Sequence, residues 1–264
     1  MTTSYISPLA TLRTLLPDAT FSLDRWNGFE RVSFDFQNRA SHLVLPPEPL
    51  PGNPWLWRPT FFDAWPSADI ALIQKGFHLA YTEVLADYAS PTGIRHGKAF
   101  HDLLVRAGLA AKFTFVALSR GGLYAFRYAE SHPEEVAAIY ADAPVCDFSS
   151  WPGGQGKSAR ATAEFNQVLH SHGLTEAEIL SPKFQPLNRL EPLAQHHIPL
   201  IHVCGDADDV VPLDENTRVL EKNYRQLGGT IEVIIKPGIG HHPHGLEDPT
   251  PVVNFITKHV LEIS

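Results

Sequence analysis

Short apolar, β-branched runs alternate along this chain with stretches of helical periodicity. Phe29–Phe36 and Ala40–Leu45 are rich in β-branched and aromatic residues and are joined by Gln37-Asn38-Arg39, which predicts an antiparallel hairpin at a sheet edge. The Pro-rich run from Pro46 to Pro54 reads as a connection. Beyond it, strands are predicted over Pro54–Trp57, Phe77–Glu83, Phe113–Leu118, Val136–Ala141, Pro199–Cys204 and Thr230–Ile235. Helices are predicted over Asp69–Lys75, Ile94–Ala107, Gly121–Ser131, Asp214–Leu227 and Val252–Leu261, with Gly76 and Gly108 suited to helix ends. Strands alternating with helices predict an α/β fold, a mostly parallel sheet covered on both faces. Residues 147–190 break the alternation with Trp151-Pro152-Gly153-Gly154, a polar helix, Pro182 and Pro186. They read as an insertion over the sheet's carboxyl edge, within a single domain spanning residues 1–264.

Composition narrows the function classes. The chain has 264 residues, 44% apolar and 19% charged, which suits one large domain with a buried core. A formal net charge of -8 argues against nucleic acid as a partner, because phosphate binding needs a basic face. Two cysteines, Cys146 and Cys204, both near predicted strand ends, read as small buried apolar residues and not as a disulfide framework. No basic segment followed by an apolar one opens the sequence, and no run reaches the roughly 20 apolar residues of a membrane span. A cytoplasmic location, no membrane and no cofactor are therefore expected; the oligomeric state is not legible.

The candidate chemistry sits at three strand ends. Phe113–Leu118 runs into Ser119-Arg120-Gly121-Gly122, with a helix starting just after the serine. Small residues two positions to either side, Ala117 and Gly121, are what a tight strand–turn–helix bend requires. A serine there is otherwise a helix N-cap. After Pro199–Cys204 comes Gly205-Asp206-Ala207-Asp208-Asp209-Val210-Val211-Pro212. After the last strand comes Gly238-Ile239-Gly240-His241-His242-Pro243-His244. Parallel strands would bring all three loops to one edge of the sheet, where open α/β sheets bind ligands. The histidine run also raises a metal reading, but no second cluster with ligand spacing is visible, and no metal is expected.

These motifs resemble those of the α/β-hydrolases, in the order Ser…Asp…His that the family uses, with Ala117 in place of the first glycine of G-x-S-x-G. The resemblance covers nearly the whole chain and extends to a little-characterised bacterial, esterase-like branch. It implies a doubly wound sheet, Ser119 as nucleophile, Asp208 as acid and His241 as base, with His242 the rival base. It implies an oxyanion hole from the backbone N–H of Arg120 and a second donor after the third predicted strand. Many relatives have His-Gly there; this chain has Trp57-Arg58-Pro59, so Trp57 or Arg58 is the expected donor, since Pro59 has no N–H. Tyr88, Trp151 and His244 are the expected substrate contacts. The expected reaction is hydrolysis of small carboxylic esters, acylated sugars among them. A peptidase or amidase with the same three residues, and a non-catalytic binding protein on the same scaffold, are the competing readings.

Overall fold

The computed structural model describes residues 7–261. The extreme ends of the expected 1–264 domain, residues 1–6 and 262–264, lie outside the described residues. The elements run α1 (Pro8–Leu15), β1 (Ser22–Trp26), β2 (Phe29–Asp35), β3 (Ala40–Leu45), β4 (Trp55–Trp57), α2 (Ser67–Gln74) and β5 (His78–Thr82). Then come α3 (Pro91–Arg106), β6 (Phe113–Leu118), α4 (Gly121–Ser131) and β7 (Val136–Asp142). After β7 follow three helices, α5 (Thr162–His172), α6 (Glu176–Ile179) and α7 (Glu191–Gln195). The chain closes with β8 (Leu200–Gly205), α8 (Thr217–Gln226), β9 (Ile231–Lys236) and α9 (Thr250–Leu261).

Among the described residues the strands form one nine-stranded sheet in the order β1-β2-β3-β5-β4-β6-β7-β8-β9. β1 to β3 pair antiparallel and β3 meets β5 antiparallel; every pairing from there on is parallel. The expected doubly wound, mostly parallel sheet with an antiparallel amino-terminal edge is thus what the chain forms. Two elements escape the sequence pattern. β1, Ser-Leu-Asp-Arg-Trp, is exposed over its first four residues, so it lacks the apolar alternation that marks a half-buried strand. α1 anchors through few residues, chiefly Leu12, which is fully buried.

Alternation along β6 shows how both faces are filled. Phe113, Phe115 and Ala117 join a cluster with Trp55, Trp57, Tyr124 and Tyr128 on the α3/α4 side. Val116 and Leu118 point to the other face, against Leu72 and Ile73 of α2 and Val252 and Ile256 of α9. Being buried on both faces, β6 reads as a near-continuous apolar run, interrupted by Thr114. Cys146 and Cys204 are both free and buried, and burial pushes both thiols to a higher pKa. No helix among the described residues is long and apolar enough to cross a membrane.

Candidate active site

The turn between β6 and α4 holds Ser119 at φ +51°, a left-handed conformation that costs a non-glycine residue about 1–3 kcal/mol. Surrounding hydrogen bonds over-determine it. The Ser119 N–H donates to the Asp142 carbonyl at 2.9 Å, and the Ser119 carbonyl accepts from the N–H groups of Gly122 and Val145, each at 2.9 Å. The glycines are small because the backbone is crowded. A Cβ on Gly121 would lie 2.5 Å from Thr60 Oγ1, and one on Gly122 would lie 2.7 Å from Pro144 Cβ. The bend lifts the Ser119 hydroxyl to the carboxyl edge of the sheet, beside the amino terminus of α4.

Two further loops converge there. Ser119 Oγ lies 2.9 Å from His241 Nε2, and His241 Nδ1 lies 2.8 Å from Asp208 Oδ2. The other Asp208 oxygen accepts the N–H groups of Val210 and Val211 at 2.9 and 2.8 Å, which fixes the carboxylate's orientation. The acid and histidine loops are packed backbone to backbone. A Cβ on Gly205 would fall 2.0 Å from the Ile239 carbonyl oxygen. The Ala207 N–H donates to that carbonyl at 3.0 Å, and the Gly238 N–H donates to Asp206 Oδ1 at 2.6 Å. Asp206 therefore ties the two loops together.

The hydrogen bond of the Ser119 hydroxyl is to His241, not to the rival His242. His242 is exposed and its ring stacks on Trp65, with centroids 4.9 Å apart and planes 10° apart. Partial desolvation by the groups packed against it, together with the neighbouring His241 and His244, lowers its pKa from the ordinary histidine value. His244 differs from the expected substrate contact. It is buried, and its Nδ1 lies 2.6 Å from Asp142 Oδ1. Asp142 Oδ2 also accepts from the Gly245 N–H at 2.8 Å and the Tyr140 hydroxyl at 3.0 Å. His244 thus belongs to a closed internal network.

The expected second oxyanion donors need correcting. Trp57 lies inside the β4 ladder, paired with Ala80 and Phe115, and its ring is packed among Phe100, Phe115 and Tyr128. The Arg58 N–H is committed to the Ala80 carbonyl at 2.9 Å. Its side chain is fully buried, 3.5 Å from Asp69, and it donates to the carbonyls of Phe62 and Ala64 at 3.0 and 2.7 Å. Arg58 clamps the loop of residues 58–64 from inside. The hydrogen bonding to β5 continues one residue past the end of β4, through the Arg58 N–H, which moves the candidate donors on to Thr60 and Phe61. Thr60 touches the first turn of α4, and Phe61 has φ +54°.

The rim is aromatic and carries one cation. The Arg120 guanidinium lies 5.4 Å from the centroids of both Phe61 and Tyr88 and donates to the Tyr88 hydroxyl at 2.8 Å. The Tyr88 hydroxyl in turn donates to Gln167 of α5 at 2.9 Å, and His172 Nε2 lies 2.8 Å from the Tyr88 carbonyl. Tyr88 is only 4% exposed, so it braces Arg120 instead of presenting the open contact face the sequence suggested. Trp151 is half-buried and stacks beside Tyr88 at 6.4 Å. Phe61, Trp65 and Gln167 were missed in the sequence; a Trp in the polar loop Asp63-Ala64-Trp65-Pro66 was the available signal.

No protein-family model and no curated protein matches the sequence. Solved structures do match. A putative lipase from Acinetobacter baumannii AYE is 15% identical, with a TM-score of 0.60, over 98% of this chain and 97% of that one. Est1E from Butyrivibrio proteoclasticus is 15% identical, with a TM-score of 0.58, over 92% of this chain and 98% of that one. Dipeptidyl peptidase 4 from Porphyromonas gingivalis is 18% identical, with a TM-score of 0.62, over 92% of this chain but only 35% of that one. The chain thus spans about a third of the length of that peptidase. At these identities the likeness establishes architecture: the chain has the α/β-hydrolase fold.

Proposed function

We propose that this chain is a serine hydrolase of small carboxylic esters, with Ser119 as nucleophile, His241 as general base and acid, and Asp208 as its orienting carboxylate. The observation that carries the reading is the hydrogen-bonded relay Ser119–His241–Asp208, with its serine on a strained turn at a helix amino terminus. In this reading Asp208 holds the proton on His241 Nδ1, which leaves the Nε2 lone pair facing the serine. Ser119 Oγ attacks the ester carbonyl carbon while Nε2 takes the hydroxyl proton. The carbonyl oxygen gains negative charge, and the Arg120 N–H, with Thr60 or Phe61 across from it, stabilises that charge. Collapse breaks the bond to the alcohol, which leaves with the proton from His241, and an acyl-enzyme remains. Water, deprotonated by His241, attacks the acyl carbon and frees the acid and Ser119.

Ester hydrolysis is favoured over peptide hydrolysis because the putative lipase aligns over nearly its whole length, whereas the peptidase aligns over about a third. The Arg120 cation, braced by Tyr88, and the aromatic rings of Phe61 and Trp151 suit an oxygen-rich substrate with a flat apolar surface; acylated sugars combine both and are the first class to test. The cytoplasm is the proposed location.

The test is fluorophosphonate labelling followed by peptide mass mapping. Modification on Ser119 in the wild type, and none in Ser119→Ala, is the expected result. A chelator-treated chain that stays unlabelled overturns this reading. Matched ester and amide substrates with one acyl group then separate esterase from amidase.

A further inference from the structure

The imidazoles of His241, His242 and His244 form a nearly equilateral triangle, every pair of ring centroids 4.9 Å apart. The planes meet at 61°, 80° and 83°, so the rings stand like blades and do not stack. One ligand nitrogen from each lies within 4.8 Å of the others. Three imidazole nitrogens arranged tetrahedrally at about 2.1 Å from a zinc ion would set their ring centroids about 5 Å apart, close to the spacing present here.

The second layer strengthens the case. Metal-bound histidines almost always give their other ring N–H to a carboxylate or carbonyl, which fixes the tautomer and raises ligand basicity. Here His241 Nδ1 lies 2.8 Å from Asp208 and His244 Nδ1 lies 2.6 Å from Asp142, and both carboxylates are buried. Each pairing directs an Nε2 lone pair away from its carboxylate, and that of His241 is the one that meets Ser119. His242 is exposed and held against Trp65, on the solvent side where an ion would enter.

We propose that His241, His242 and His244 bind one divalent transition-metal ion, and that this binding excludes the Ser119–His241 hydrogen bond. The exclusion follows from electron bookkeeping at one atom. His241 Nε2 has a single lone pair, which either accepts the Ser119 hydroxyl proton or coordinates the ion. On metal binding that 2.9 Å hydrogen bond breaks, Ser119 keeps its proton, and no redox change is involved. The ion is a reversible off-switch for the nucleophile and takes no part in the reaction.

Metal binding does not depend on Ser119 being a nucleophile, so it is measured first and without substrate. Equilibrium dialysis of the full chain against Zn²⁺, and visible absorption with Co²⁺ as probe, should give one ion per chain with a tetrahedral cobalt spectrum. His242→Ala and His244→Gln should each weaken binding at least tenfold, whereas Ser119→Ala should bind as tightly as wild type or more so. His242 is exposed, so its variant remains decisive if His244→Gln does not fold. Rings packed only for mutual contact would give no stoichiometric site, or binding that His242→Ala leaves unchanged; either result overturns the proposal. Saturating Zn²⁺ should also slow fluorophosphonate labelling of wild type at least tenfold, with recovery on chelation; labelling unaffected by bound Zn²⁺ overturns the exclusion. A metal-free chain that never labels refutes the hydrolytic reading, while dialysis still decides the metal site.

Discussion

Two carboxylate–histidine pairs lie side by side at the carboxyl edge of the sheet, and they differ in their surroundings. Asp142 ends β7 and holds His244; Asp208 follows β8 and holds His241. Both histidines come from one short loop after β9, and their rings are 4.9 Å apart. The Asp208 pair opens on Ser119, and the His241 side chain keeps 9% of its surface exposed. The Asp142 pair is closed: His244 and Asp142 side chains are 2% and 0% exposed, and Asp142 also accepts from Tyr140 and Gly245. In the proposed mechanism one pair thus serves the chemistry, while the other holds the histidine loop against β7. Position relative to Ser119, more than residue type, separates the two pairs.

Substitutions within each pair should respond in opposite currencies. Ser119→Ala and His241→Ala should each lower kcat on the order of 10⁶-fold with little change in melting temperature. Asp208→Asn, which keeps shape but favours the wrong tautomer, should cost on the order of 10⁴-fold. Steady-state kinetics against calorimetry checks both, and normal turnover by any of the three would remove the proposed relay.

Asp142→Asn should act mainly on stability. It mismatches a buried network of three hydrogen bonds and should cost about 3 kcal/mol, read in the denaturation midpoint. Its kcat/KM should stay within about tenfold of wild type. Loss of activity with an unchanged midpoint would mean that the closed pair takes part in chemistry after all.

Histidines outside both pairs give a pH signature. Burial pushes His202 down to about 3 and His78 and His96 down to about 4, from an ordinary 6.5. The folded chain keeps them neutral while the unfolded chain protonates them below about 6.5. Their stabilisation is therefore complete above that pH and is lost as pH falls toward 4, and for His202 toward 3. Each contributes a slope of up to about 1.4 kcal/mol per pH unit. Denaturant titrations between pH 7 and 4 should show falling stability, with a shallower fall in His202→Gln if that variant folds.

Asp206→Ala should have the smallest effect. It removes the 2.6 Å bond to the Gly238 N–H that joins the acid and histidine loops. About 1 kcal/mol of stability and a few-fold in kcat are expected to go. An effect as large as that of Asp208→Asn would show that loop registry, and not the carboxylate on His241, is the sensitive element.

The chain's own pattern of residues determined the alternation of strands and helices, the small-residue turn around Ser119 and the strand-end placement of Asp208 and His241. Those features are local: they follow from periodicity and from the size limits of a tight turn, so they can be read one segment at a time. Tertiary structure alone decided the rest. It showed that His244 faces Asp142, 102 positions away in the sequence, that Arg58 turns inward to Asp69, and that Tyr88 braces Arg120 and is nearly closed to solvent. A side chain's partner depends on which distant strand ends become neighbours, and no window of sequence carries that information. β1 was missed for a related reason, because an exposed edge strand derives its hydrogen bonds from β2 and leaves no apolar alternation in its own residues.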